Sequence, residues 1–256
     1  KYALRASNGK LIICAYLYLD IMDEQEIRQF RIYDYNPGFV LPNDALIDDN
    51  TDVWIADQAS GLVMNHNIWT NEKFIPDGPG TAKVFAMDVQ ATDLWVAPGG
   101  RDASFGNVYN VGEFYSYTDG KWKSYTKQNA PFLEPVRDVI SVVVDPRNPK
   151  HVFLGSWGYK LFEYLNGELV QIYDASNSSL QYSMKQPDRL IVSGMSYDAD
   201  NNLWLVNSNA PNLLSVLRNN NTWKSFDLGT TSNSNDAADF AIDKLGQKWI
   251  LQRDHT

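Results

Sequence analysis

The sequence predicts an all-β protein built from repeated four-stranded antiparallel units, and three observations predict it. Five times an Asp closes one apolar run, a few polar residues follow, and a second run begins around a large aromatic. The aromatics, Trp54, Trp95, Phe153, Trp204 and Trp249, recur at roughly 40 to 60 residues, the length of one four-stranded repeat with variable loops. The apolar runs are short and are bounded by Gly, Asn, Asp and Pro turns rather than by helix caps.

The elements follow in order along the chain. Tyr2 to Ala6, the turn Asn8-Gly9, and Leu11 to Ala15 read as the first two strands of an opening unit that lacks the Asp and the Trp. Leu19 to Arg28 departs from the strand pattern, because Asp20, Asp23, Glu24 and Glu26 cluster there, and a short helix or a solvated loop is expected. Ala45 to Asp48 leads into Val53 to Ala56, and Ala86 to Asp88 into Leu94 to Val96. The next unit is the most complete. Val139 to Val144 is its strand a, Asp145 to Pro149 a turn, Val152 to Gly155 strand b and Leu161 to Tyr164 strand c. Asn166-Gly167 then supplies the positive φ of a tight hairpin, and Leu169 to Tyr173 is strand d. Met195 to Asp198 leads into Leu203 to Val206, and Ala241 to Asp243 into Lys248 to Leu251. Trp122 with Tyr125, and Trp223 with Phe226, mark outer strands behind polar turns.

A lone four-stranded sheet has two faces and buries little, whereas sheets set radially bury both faces against their neighbours. The expected fold is therefore a β-propeller of four-stranded antiparallel blades, with about five to six blades present in residues 1–256 as a single domain or fragment. Its blades are expected at 2-35, 43-75, 84-125, 139-173 and 190-226, with a half blade at 239-252. The chain opens on a strand a and ends on a strand b near Gln252 with no spare outer strands at its front, so the ring is expected to be incomplete or part of a larger protein. Trp54, Trp95, Phe153, Trp204 and Trp249 are expected in the core.

Composition narrows the function. Hydrophobic residues make up 44% of the chain, yet no apolar run approaches the length needed to span a bilayer. The net charge of −9 repels phosphate backbones, which argues against nucleic acid as a partner. Cys14 is the single cysteine and lies in the apolar run Leu11 to Ala15, the setting of a buried structural thiol.

No motif for catalysis or for a cofactor is found. His66, His151 and His255 are isolated, without ligand spacing for a metal. Asp198 to Asn202 resembles the start of a calcium loop, but its sixth position is Leu203 where such a loop needs Gly, so a hairpin turn is expected. Pro98-Gly99-Gly100-Arg101-Asp102 has glycines but no phosphate-loop Lys-Ser, and no Gly-x-Ser-x-Gly elbow occurs. The recurring Asp48, Asp88, Asp145, Asp198 and Asp243 read as turn residues. Lys121, Lys123 and Lys127 read as a guard on an exposed strand edge. The expectation is a non-enzymatic protein with no catalytic residue, metal or cofactor.

In a propeller the loops from strand b to c and from strand d to the next a gather at one mouth, so a binding surface is expected there. The candidates are Asp57, Gln58, Arg101, Trp157, Tyr159, Asn207 and Asn209. Trp157 and Tyr159 offer apolar area to a partner or a sugar ring, and Arg101 can pair with a carboxylate or phosphate. Trp69 and Asn71 are placed by neither reading.

The run Val144-Asp-Pro-Arg-Asn-Pro-Lys-His-Val-Phe-Leu-Gly-Ser-Trp-Gly-Tyr-Lys-Leu-Phe-Glu-Tyr164, with Asn166-Gly167 and Ile172 to Leu180, resembles the PorZ-like propeller proteins of the type IX secretion system of Bacteroidota. The hairpin Asp198 to Trp204 resembles, more loosely, two-component regulator propellers. The first resemblance implies a scaffold or docking module in the periplasm or at the outer-membrane surface, with a protein partner in sortase-like envelope machinery. The second implies a periplasmic propeller of a hybrid sensor kinase, binding an oligosaccharide or another nutrient.

Overall fold

The computed structural model describes residues 3–36, 38–67, 70–74, 77–229 and 235–253. The chain divides into two compact units, Lys1–Asp77 and Gly78–Thr256.

The first unit holds two antiparallel four-stranded meanders. One runs β1 (Ala3–Ser7), β2 (Lys10–Ala15), β3 (Tyr18–Met22), β4 (Arg28–Ile32), and the other β5 (Pro42–Ile47), β6 (Val53–Asp57), β7 (Gly61–Asn67), β8 (Thr70–Phe74). Ile12, Leu19, Ile21 and Ile32 from one sheet and Val53, Ile55 and Val63 from the other form the shared core. Cys14 lies in it, 1% exposed, and burial, reinforced by Asp44 against a smaller opposing effect of Arg5, pushes its thiol up to about 11.

The segment 19 to 28 forms a hairpin, not a helix. Leu19 and Ile21 alternate into the core while Asp20 faces out and accepts two hydrogen bonds of 2.7 Å from Arg31. The acidic cluster belongs to the turn, where Asp23 Oδ1 accepts the amides of Gln25 and Ile27. Period-two burial overrides the local charge density that suggested a helix.

The second unit repeats the meander. Its sheets are β9 (Ala86–Gln90) to β12 (Lys121–Tyr125) through β10 (Asp93–Ala97) and β11 (Phe114–Thr118), and β13 (Val139–Asp145) to β16 (Glu168–Tyr173) through β14 (Asn148–Gly158) and β15 (Leu161–Leu165). Next come β17 (Leu190–Tyr197) to β20 (Trp223–Phe226) through β18 (Leu203–Asn207) and β19 (Leu214–Leu217), and the pair β21 (Ala237–Ile242) with β22 (Lys248–Gln252). The first strands β9, β13, β17 and β21 pack side by side, as blades of a propeller do. Glycine permits that approach: a Cβ on Gly194 of β17 would sit 2.5 Å from the Phe240 amide nitrogen of β21, and one on Gly155 would sit 2.7 Å from the Val192 carbonyl oxygen.

The sequence repeat has two structural causes. One is a turn lock. Asp48 accepts the amides of Asn50 and Asp52 and the indole N–H of Trp54, at 2.9, 3.0 and 2.8 Å. Asp198 does the same for Asp200, Asn202 and Trp204, and Asp243 for Leu245, Gln247 and Trp249. At Asp145 the ring six residues on is His151, whose Nδ1 lies 3.0 Å from the carboxylate, and Phe153 keeps the strand register that Trp54 holds elsewhere.

The other cause is a stack between strands b and d. Trp54 stacks on Phe74 at 5.1 Å, Trp95 on Tyr125 at 5.9 Å, Phe153 on Tyr173 at 6.3 Å and Trp204 on Phe226 at 5.5 Å. In these four sheets the aromatic that closes the outer strand therefore covers the anchor of its own blade.

Two residues depart from the sequence reading. Asp88 is not a turn residue. It lies within β9 opposite Trp95, and its Oδ2 accepts the Val144 amide of the next sheet at 2.8 Å. Trp249 is not core. It is 61% exposed, because β22 pairs only with β21 among the described residues and no outer-strand aromatic covers the ring.

Candidate functional site

In the second unit the β14–β15 connection and the segments preceding β13 and β17 surround an apolar groove of about 320 Å³. Phe132, Tyr159, Phe162 and Tyr182 supply its aromatic surface, and Lys160, Asp188 and Arg189 its charges.

Local chemistry fixes each of these residues. Pro131 opens a 3-10 turn, Pro131–Leu133, that buries Leu133 and sets the Phe132 ring 5.3 Å from Phe162. The Ser156 to Lys160 turn is closed by its own hydrogen bonds. Ser156 Oγ donates to the Lys160 carbonyl at 2.9 Å and accepts the Tyr159 amide at 2.8 Å. Gly158 at φ 116° and Lys160 at φ 95° make the reversal, and Lys160 is held there by Asp174 at 2.8 Å. That contact, with Ser176, brings the Asp174 carboxyl down to about 2. Tyr182 is 41% exposed beside a turn in which Ser183 Oγ accepts the amides of Lys185 and Gln186. Arg189 bonds Asn107 and the Tyr109 hydroxyl, which links the groove to the β10–β11 connection. That connection exposes Val108, Tyr109 and Val111, at 43, 60 and 61%. Asp138, wholly buried, pins it through the amides of Tyr109 and Asn110 and the Asn107 side chain.

Of the residues singled out in the sequence, Tyr159 lines this groove and Arg101 lines a separate cavity described below. Trp157, two residues from Tyr159, turns inward. It is 1% exposed, donates its indole N–H to the Phe105 carbonyl at 3.1 Å, and packs with Ile140 and Ile191. Asn207 is buried, accepting the Gln181 amide and donating to the Ile191 carbonyl. Asn209 is also buried and fixes two loops through its backbone, to Asn235 and Met184. In the first unit Asp57 is buried and accepts from Tyr35, Leu41, Ala59 and Ser60, while Gln58 is exposed. Asn71 ties Asn65 to the Tyr35 carbonyl, and Trp69 and His255 lie outside the described residues. Phe132, Tyr182 and Arg189 were not foreseen. They lie in the connections from one four-stranded sheet of the second unit to the next, β12 to β13 and β16 to β17, which the repeat does not mark.

On the strand ends away from the groove, His151 lies between two carboxylates, 3.0 Å from Asp145 and 2.9 Å from Glu163. Burial opposes a charge on the imidazole, but Glu163 and Asp145 outweigh it and raise its pKa. Burial likewise opposes charge on Asp145, yet Arg147 and His151 hold that carboxyl below its usual range. Among the described residues, no group of three or more His, Cys, Asp or Glu could hold a metal ion, and no helix is long and apolar enough to cross a membrane.

No protein-family model matches this chain, and no curated protein matches it. Solved structures do. PorZ, an essential bacterial surface component of the type-IX secretion system of Porphyromonas gingivalis, superimposes with a TM-score of 0.67 at 21% identity, over 97% of this chain and 33% of that one. The extracellular domain of BT3049 from B. thetaiotaomicron, of the hybrid two component class, gives 0.36 at 12% identity, over 97% of this chain and 37% of that one. The WD40 propeller of Doa1 gives 0.43 at 10% identity, over 94% and 71%. This chain thus spans about a third of the length of PorZ. At that identity the likeness is one of architecture: the chain has a β-propeller fold, shared with PorZ.

Proposed function

We propose that this chain is a non-enzymatic propeller module of a cell-envelope protein, and that its loop face docks a protein partner within a type IX secretion or related surface complex. The observation that carries this reading is the aromatic groove at Phe132, Tyr159 and Tyr182, continuous through Arg189 with the exposed Val108, Tyr109 and Val111. Exposed apolar side chains gathered beside a groove and rimmed by charge are the usual mark of a protein contact. The fold shared with PorZ supports the envelope setting, in the periplasm or at the outer-membrane surface, and the resemblance of the run Val144 to Tyr164 to the PorZ-like proteins supports sortase-like machinery as the partner.

The test is capture of envelope sortase components from intact cells by the full-length parent protein, wild type against Tyr159→Ala with Tyr182→Ala. Recovery by the wild type and its loss in the double variant is the expected result. Tyr159 and Tyr182 also offer flat rings on which a sugar can stack, which favours the glycan-sensing reading as the alternative. Micromolar glycan binding with no sortase component recovered would reverse the order.

A further inference from the structure

A second cavity of about 510 Å³ opens among the first strands of the second unit, walled by Met87, Ser141, Ser193, Gly194 and Asp239 and bounded by Arg101. Its chemistry differs from that of the aromatic groove. Arg101 stacks over Phe105 at 4.2 Å, with the Trp157 and Phe85 rings at 5.5 and 5.8 Å. The Arg101 Nε is buried with no hydrogen-bond partner, and no carboxylate forms an ion pair with this guanidinium among the described residues. Asp239 lines the same cavity and reaches Arg101 only through space. On the wall, Ser193 is 4% exposed and its hydroxyl also lacks a partner. Buried polar groups are nearly always hydrogen-bonded, so two unmet donors on one cavity point to a ligand that meets them.

We propose that this cavity binds a small carboxylate, held by the Arg101 guanidinium and the Ser193 hydroxyl. A guanidinium offers parallel N–H donors that match the two oxygens of a carboxylate. The aromatic faces behind Arg101 fix the plane of the fork before the ligand arrives. Asp88 and Asp239 on the walls oppose a dianion, which selects a singly charged carboxylate over phosphate. Asp88 does not compete for Arg101, because its oxygens accept the Val89 and Val144 amides at 2.9 and 2.8 Å.

Titration calorimetry of the intact protein with acetate, lactate and gluconate, each to about 10 mM, tests the proposal. At least one of them binds saturably with a Kd below about 1 mM, and lactamide, which has no charge, does not. Arg101→Gln weakens that binding at least tenfold, on the order of the loss of one charged fork. Ser193→Ala, a small truncation that leaves the rings under Arg101 in place, weakens it about threefold and serves if Arg101→Gln does not fold. Absence of any saturable carboxylate signal overturns the proposal. So do equal affinity in Ser193→Ala and wild type, or a preference for inorganic phosphate.

Discussion

Replacing Asp198 by Ala tests the turn lock where its geometry is fullest. The carboxylate accepts the Asp200 and Asn202 amides at 3.0 and 2.8 Å, the Asn202 side chain at 2.9 Å and the Trp204 indole at 2.7 Å. Hydrogen bonds to a charged acceptor contribute about 1.5–3 kcal/mol each when the abandoned donor stays dry. The two amides lie at a solvent-facing turn where water replaces the acceptor, so their combined loss resembles that of a helix cap, about 1 kcal/mol. The indole lies against Phe226, where water has less access, and adds about 2 kcal/mol. Asp198→Ala is therefore expected to cost about 3 kcal/mol, a fall in Tm of about 6–12 °C for a unit of this size. Asp200→Ala, which removes an exposed carboxylate from the same turn, is expected to stay within about 0.5 kcal/mol of wild type. Urea and thermal melts followed by tryptophan fluorescence measure both. Equal stabilities for the two variants would refute the claim that the recurring Asp is a lock.

Gly194→Ala places a methyl against the Phe240 amide nitrogen, which cannot yield without moving β21, and is expected to cost at least about 2 kcal/mol in a urea melt. Asp174, held down near 2 by Lys160, contributes stability that is present above its ordinary value near pH 4 and is lost as pH falls toward 2. Acid melts of Lys160→Met are accordingly expected to show a shallower loss over that interval than wild type. His151 has the opposite sign: with its pKa raised, its stabilisation is full below about pH 6.5 and is lost as pH rises through the folded value. His151→Gln is expected to remove that alkaline-side decline, and a wild-type slope unchanged in the variant would exclude the ion pairs as its source. Cys14, buried and with its thiol raised to about 11, is expected to react with a disulfide reagent only on unfolding, so rapid labelling of the native protein would count against the burial assigned to it.

Much of the fold was legible because the same two devices recur. An Asp followed six residues later by Trp is a turn lock, and an aromatic at the end of an outer strand is the lid on that Trp, so both leave a mark at a fixed spacing. Legibility failed where one chemistry serves two places. Asp88 precedes its Trp by seven residues where the turn-lock Asp residues do so by six, and it lies in the strand and bonds to the neighbouring sheet. Trp249 has its Asp yet lacks its lid. The site was less legible still. Trp157 and Tyr159 are equally attractive in the sequence, and only the reversal at Gly158 and Lys160 decides that Trp157 packs inward and Tyr159 lines the groove. Phe132 and Tyr182 come from connections of irregular length, whose position depends on contacts far away in the chain.

The most direct test of the loop face as the docking surface is site-specific photocrosslinking in intact cells, with a photoreactive phenylalanine analogue placed at Tyr182 or at Val170. Val170 is 52% exposed on the outer strand β16 and does not line the groove, although Ile172 of the same strand does. The expected result is an adduct from position 182 to a component of the envelope sortase machinery and none from position 170. Adducts from 170 alone, or the same adducts from both positions, would contradict a docking role for the groove.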